Sequence, residues 1–141
     1  MNTRTVLCDR CRQPIRSWRE LVVWCDSTQA LRAKWEYEAK VRQQERRETE
    51  ALAAGGVESW LQTAVLRPLA TVPRVEDVPW QVLHRDCITD AEWHRGYPIE
   101  GTRINTVRKA LAWTLHLMEK TWFEFTDWRR VMQKLFGIPE V

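Results

Sequence analysis

The stretches Cys8-Asp9-Arg10-Cys11 and His84-Arg85-Asp86-Cys87 decide how this chain folds, because each holds a pair of metal-binding side chains at the same spacing. Two residues separate the members of each pair, and residues 12–83 lie between the pairs. A two-residue gap lets a tight turn aim both side chains at one ion, and three thiolates with one imidazole are an ordinary structural zinc set. The spacing predicts one structural Zn²⁺ held by Cys8, Cys11, His84 and Cys87.

The sequence gives less support to other functions of these Cys and His residues. A thioredoxin-like redox CxxC expects a βαβ context, which this sequence lacks, and iron–sulfur clusters need a ligand pattern that is not found here. Cys25 follows a β-prone run, and we expect a buried thiol there, with exchange into the ligand set as an alternative. His94 lies near the second pair and could assist the metal, whereas His116 is expected to be a packed or surface imidazole.

The segment from Cys8 to Ile15, followed by Val82 to Cys87, resembles the first zinc module of LIM domains and related treble-clef fingers. Those modules combine a CxxC knuckle, a β-hairpin and an HxxC pair. The resemblance implies the ligand set Cys8, Cys11, His84 and Cys87 in a treble-clef-like knuckle. The gap between the pairs is much longer than in LIM domains, and no Cys follows Cys87 to build a second module. The resemblance therefore carries no function with it.

The predicted fold is mostly α with a small β zinc knuckle (α+β), within a single zinc-stabilised domain of 141 residues. Residues 1–26 and 80–95 form the zinc module, residues 27–66 a helical insertion, and residues 102–137 two C-terminal helices. Four ligands fill the coordination shell of such a site, so it should tie these parts together rather than perform chemistry.

The insertion is predicted to contain a long helix that Ser27 or Thr28 caps. Residues 30–54 have no Gly or Pro, and opposite charges recur four residues apart. Its apolar stripe is thin, so we expect the helix to project into solvent or to pair with another copy, a homodimer through residues 29–54. Gly55-Gly56 is expected to end this helix, and residues 57–66 to form a second, short helix.

The C-terminal part shows the strongest helical periodicity. Thr102 is the expected cap, and large apolar residues recur at steps of three and four, which predicts a core-facing stripe: Ile104, Val107, Leu111, Leu115, Met118 and Trp122. Thr126 or Asp127 should cap a last helix, which turns Val131 and Leu135 inward and stops at Gly137.

Catalysis is not expected from this sequence. A catalytic zinc keeps an open coordination position and usually a nearby general base. The chain has no HExxH, no Gly-rich phosphate loop and no nucleophile elbow. We therefore expect a non-enzymatic, zinc-stabilised binding protein, acting as an interaction module, adaptor or regulatory factor.

A protein partner is the first expectation, because the chain has nine Trp, and this residue is a favoured interface anchor. A nucleic-acid-binding regulator is the alternative, because residues 1–19 and 103–134 each carry a local balance of +4 although the net charge is only +3. The candidate contact residues lie on the knuckle and the last helix: Arg10, Arg12, Arg16, Trp128, Arg129, Arg130, Gln133 and Lys134.

The sequence also bears on location. No apolar run approaches the roughly 18 residues that a membrane helix needs, and the first residues lack an apolar signal-peptide core. We expect a cytoplasmic protein without a membrane partner, in a compartment where its four Cys stay reduced. The small size, unusual composition and lone zinc module would suit an accessory factor of a phage or mobile element.

Overall fold

The computed structural model describes residues 5–66, 72–73 and 75–139, with the side chains of 56–66 outside the description. The chain combines helices with short antiparallel strands, which is consistent with the α+β prediction. In order, the elements are β1 (Val6–Leu7), β2 (Pro14–Ile15), β3 (Leu21–Cys25), α1 (Ser27–Leu66), β4 (Trp80–His84), α2 (Asp90–Arg95), β5 (Tyr97–Glu100), α3 (Val107–Met118) and α4 (Trp128–Phe136). Single turns of 3₁₀ helix lie at 85–87, 101–103 and 123–125.

The five strands form two antiparallel sheets. Strands β1 and β2 form a two-stranded hairpin, and a second sheet has the order β4-β3-β5. Every residue of the central strand β3 is buried, and Trp80 and Val82 of β4 are fully buried beside it. The edge strand β5 was not expected, because Gly96 and Pro98 weaken the strand signal in that stretch.

The chain separates into two compact units. One consists of Met1–Leu31 with Asp77–Val141, and the other of Arg32–Glu76. The first unit contains both sheets and the three helices that follow α1. The second contains most of α1, where the large side chain of Trp35 is 58% exposed.

Helix α1 is one continuous helix of 40 residues, so the predicted break at Gly55-Gly56 is wrong. A glycine in a helix interior costs only about 1 kcal/mol, and residues 57–66 contain neither Gly nor Pro to interrupt the hydrogen bonds. The cap is also one residue earlier than expected, because Asp26 Oδ1 accepts the backbone N–H of Gln29 at 3.1 Å.

Helix α3 begins later than predicted, because its cap is Thr106 rather than Thr102. The Thr106 hydroxyl oxygen accepts the N–H of Lys109 at 3.2 Å. The predicted core stripe is only partly correct: Ile104 and Trp122, which flank this helix, are buried, but the four members on the helix itself are not. Its large apolar side chains face outward, with exposures of 61, 56, 59 and 63% for Val107, Leu111, Leu115 and Met118.

The inward side of α3 combines small residues with one leucine. Ala110 and Leu117 are fully buried, and the indole N–H of Trp128 donates to Thr114 Oγ1 at 2.9 Å. This hydrogen bond places Trp128 against the side of α3 that carries Thr114. Periodicity in the sequence identifies the largest apolar residues, whereas a contact with a later helix decides which side of α3 is buried.

Helix α4 follows Asp127 and ends at Gly137, which adopts the left-handed conformation (φ 63°) expected of a helix stop. Val131 is fully buried as predicted, and Leu135 is half-buried. Among the described residues, no helix combines the length and apolar character needed to cross a membrane.

Candidate metal centre

The four predicted ligands come together at one point. The sulfur atoms of Cys8, Cys11 and Cys87 and the nearest ring nitrogen of His84 all lie within 4.8 Å of one another. His84 Nδ1 is 3.2 Å from Cys11 Sγ and 3.9 Å from Cys87 Sγ. A cluster of this compactness could hold a metal ion.

The first pair lies in a tight turn between β1 and β2. The N–H of Cys8 donates to the Gln13 carbonyl at 3.0 Å, and the N–H of Arg12 donates to the Cys8 carbonyl at 3.1 Å. Arg12 has φ 62°, in the left-handed region that favours glycine. This curled backbone turns the Cys8 and Cys11 side chains toward the same side.

The second pair is positioned by the sheet. His84 is the last residue of β4 and lies opposite Leu21 of β3, and Cys87 ends the 3₁₀ turn that follows. The N–H of Arg85 donates to the Glu20 carbonyl at 2.7 Å, which fixes the chain where it leaves the strand. The two-residue gap therefore brings both ligands to the end of one strand, as the sequence predicted.

The His84 ring is oriented by a carbonyl group. Its Nε2 lies 3.0 Å from the Pro14 carbonyl oxygen. A carbonyl oxygen only accepts hydrogen bonds, so Nε2 carries the hydrogen and Nδ1 faces the cysteine sulfurs. Metal-binding histidines commonly donate their second ring N–H to such an acceptor.

The cysteine thiols differ in their readiness to ionise. Burial opposes ionisation of Cys8, but backbone N–H groups of Cys11, His84 and Arg10 outweigh it and lower the Cys8 pKa to about 6. Burial and the neighbouring thiols raise the Cys87 pKa to about 11. Like charges this close oppose full ionisation, and a cation at the centre would remove that opposition.

Asp9, between the first two ligands, fastens the knuckle to β4 and α4. Its N–H donates to the Val82 carbonyl at 2.8 Å, and its Oδ2 accepts the Val82 N–H at 2.7 Å. Lys134 Nζ donates to Asp9 Oδ1 at 2.7 Å. Burial opposes ionisation, yet Lys134 and the Val82 N–H hold the Asp9 pKa below its ordinary value. This role of Asp9 was not predicted from the sequence, although its position inside the CxxC was a signal for it.

Arg10 fastens the knuckle to α2. Its guanidinium forms a two-pronged ion pair with the Glu92 carboxylate and donates to the Cys87 carbonyl at 2.8 Å. The hydrogen bond from Arg10 is the main cause that lowers the Glu92 pKa to about 2. Both non-ligand residues of the CxxC therefore hold the metal-binding turn against the rest of the fold.

The eight predicted contact residues divide into three groups. Three cations already bind carboxylates of their own chain: Arg10, Arg130 and Lys134. Two groups are withdrawn from the surface: the Trp128 side chain, 4% exposed, and the amide nitrogen of Gln133. Three cations stay exposed: Arg12, Arg16 and Arg129.

The other Cys and His residues do not join the cluster. Within the described part of the chain, the metal-binding group leaves out Cys25, His94 and His116. Cys25 is fully buried at the end of β3, and its burial raises the pKa of its thiol. His116 packs edge-on against Trp113 and lies 3.8 Å from the Glu119 carboxylate.

Comparisons with protein-family models, with curated proteins and with solved structures give no match to this chain. The site is therefore interpreted from its own geometry.

Proposed function

We propose that this chain is a non-enzymatic protein-interaction module whose fold is tied together by one structural zinc ion. Cys8, Cys11, His84 and Cys87 would hold that ion. Zinc lies about 2.3 Å from sulfur and about 2.0 Å from nitrogen, so in a tetrahedral site two sulfur ligands lie about 3.8 Å apart and a sulfur and a nitrogen about 3.5 Å apart. The separations of His84 Nδ1 from the Cys11 and Cys87 sulfurs, 3.2 and 3.9 Å, lie on either side of the second value. Because all four donor atoms lie within 4.8 Å of one another, the cluster would close on the ion by contracting at most about 1 Å.

The order of elements supports a treble-clef-like arrangement. A knuckle from β1 and β2 supplies the first ligand pair, and the end of β4 supplies the second after the paired strands β3 and β4. The long insertion lies between those paired strands. Closing a loop of this length costs little more than closing a short one, because the entropy grows only logarithmically.

The ion would act structurally. With four protein ligands, no coordination position remains for a substrate or an attacking water. Its free energy of binding would add to folding, because the unfolded chain has no assembled site. Asp9 and Arg10 transmit that stability to β4, α4 and α2 through the contacts described above.

Zinc content and chelation test the metal. We expect about one zinc per purified chain and a lower Tm when a chelator removes it. Cys8→Ser should lower both zinc content and Tm. A chain without zinc whose Tm ignores the chelator would contradict the proposal.

The observation that carries the protein-binding part is the apolar face of α3, whose four large side chains are 56–63% exposed. Charged residues are usually depleted from the centre of a protein interface, and large apolar side chains are common there. The internal ion pairs of Arg10, Arg130 and Lys134 further reduce the charge left for nucleic acid.

Capture from the native host tests this part. Wild-type protein and Leu115→Glu, which changes one exposed residue of α3, should be compared as baits. Partner proteins retained by wild type and lost by Leu115→Glu would support the proposal. Identical protein profiles for the two baits would contradict it.

Nucleic-acid binding is the second candidate, because Arg12 and Arg16 of the knuckle stay exposed. Titration with duplex and single-stranded DNA and RNA at two salt concentrations tests it, since phosphate contacts make affinity fall with salt. Salt-sensitive binding that Arg12→Ala and Arg16→Ala abolish would favour this candidate. Binding that those variants leave unchanged would exclude the knuckle as its site.

A further inference from the structure

We propose that two copies of this chain associate through the α3 face, defined as Val107, Leu111, Leu115 and Met118, with the two α3 helices antiparallel. This inference rests on the proposed protein-binding function and names a second copy as the partner.

The α3 face is a continuous apolar strip. Its members follow one another at steps of four, four and three residues, so they share one side of the helix. Eleven residue steps at 1.5 Å each give the strip a length of about 16 Å. Among the described residues, half of the exposed large hydrophobic side chains belong to this one strip.

The helix cannot turn to bury this strip within its own chain. The side of the helix that adjoins the strip is fixed by the fully buried Ala110 and Leu117 and by the hydrogen bond from Trp128 to Thr114. Contiguous apolar surface on a folded protein commonly marks an interaction site, because exposing it to water is unfavourable. The α3 face therefore needs a partner from outside the chain.

Symmetry selects the antiparallel arrangement for two copies. A two-fold axis near residue 113 places Val107 opposite Met118 and Leu111 opposite Leu115, so every member of the strip meets an apolar residue. Such an interface closes on itself and produces a dimer rather than a filament. The opposed helix dipoles also favour this orientation.

Charge at the edge of the strip supports the same arrangement. At 100° per residue, Arg108 and Glu119 lie about 100° and 120° from Val107, on one flank of the strip and near its two ends. The antiparallel pairing therefore places Arg108 of each copy beside Glu119 of the other. The Glu119 side chain is 78% exposed. Its ion-pair contact with His116 is long, at 3.8 Å, so the carboxylate can also reach a second copy.

A contact through one short helix is smaller than a standard interface of about 800 Å² per partner, so we expect a Kd in the micromolar range. Sedimentation equilibrium of the full, zinc-loaded chain from about 5 µM to 1 mM covers that range. Wild type should shift from monomer to dimer with concentration. Leu115→Glu should weaken the dimer by at least about thirtyfold, because it places a charge in both halves of the interface.

The matched control is Leu52→Glu, because Leu52 is an exposed leucine on α1, outside the α3 face. It should leave the dimer Kd unchanged. Loss of the dimer in Leu52→Glu but not in Leu115→Glu would move the association to α1 and overturn the proposal. Circular dichroism and zinc content verify that each variant is folded.

An exchange of charge tests the antiparallel orientation. Arg108→Glu and Glu119→Arg should each weaken the dimer by about fivefold or more, because each makes two edge contacts repulsive. The double variant should recover most of the wild-type affinity. Additive weakening in the double variant would contradict the antiparallel pairing.

A wild-type chain that stays monomeric over the entire range overturns the inference. If Leu115→Glu still loses a different protein in the capture experiment, the proposed function survives that result. The two failures are therefore distinguishable.

Discussion

Lys134 Nζ donates a hydrogen bond to Asp9 Oδ1 across 2.7 Å, although 125 positions separate the two residues in the chain. The contact joins the last helix to the turn that carries the first two ligands. Both side chains are largely covered, with exposures of 24 and 17%, so water screens the pair only in part. The C-terminal helix α4 therefore helps to hold the turn that carries Cys8 and Cys11 in place.

Lys134→Met should lower the free energy of unfolding by about 1–2 kcal/mol, because Asp9 loses a charged hydrogen-bond donor while the apolar stem is kept. Arg130, 3.7 Å from Asp9, limits the loss. Urea denaturation measures it. Arg129→Ala, an exposed position on the same helix, is the control and should change stability by less than about 0.5 kcal/mol. Equal effects of the two variants would argue against the Asp9 contact.

Two leucines two positions apart test the orientation of α3. Leu117→Ala should cost about 2–5 kcal/mol, because Leu117 is fully buried and its removal leaves a cavity. Leu115→Ala should cost less than about 0.5 kcal/mol at low protein concentration, because Leu115 is 59% exposed. Thermal or urea unfolding of both variants compares them directly. A larger cost at Leu115 would reinstate the stripe that the sequence predicted.

Substitutions at Cys25 and Cys11 compare the loss of a buried thiol with the loss of a predicted metal ligand. Cys25→Ala should retain about one zinc per chain and lose roughly 1 kcal/mol of stability, because it removes a buried sulfur that is not part of the cluster. Cys11→Ala should lose zinc, although Cys11 is exposed. Metal analysis combined with chelator titration distinguishes them. Zinc loss in Cys25→Ala would place Cys25 among the ligands.

Glu92→Gln should cost about 1–2 kcal/mol at pH 7, because the charge-assisted contacts to Arg10 weaken. The folded-state pKa of Glu92, about 2, lies below its ordinary value of 4.5. The stabilisation is therefore present above about pH 5 and is lost as pH falls toward 2. The difference between wild type and Glu92→Gln should shrink over that window.

A stability difference between wild type and Glu92→Gln that stays constant from pH 7 to pH 4 would contradict this assignment. Urea denaturation at pH 7, 5 and 4 measures it. Asp90→Asn, an exposed acidic residue on the same helix, is the matched control and should show no such trend.

The sequence by itself determined which four side chains form the candidate metal-binding cluster. One CxxC and one HxxC, each preceded by a short apolar run, specify which side chains can meet at one ion. Each pair lies within a single turn, so its geometry depends on only a few consecutive residues. The strand before His84 and the capping of α2 by Thr89 are also local features, and the structure has both.

The tertiary structure decided which side of each helix faces the core. Val107 and Leu115 fit a core stripe by periodicity, but Trp128, from a later helix, contacts α3 at Thr114 and leaves both of them exposed. The same applies to Asp9, whose partner Lys134 no local pattern could identify. Local spacing determines which side chains a single turn can bring together. Burial and long-range pairing depend on elements that are far away in the chain.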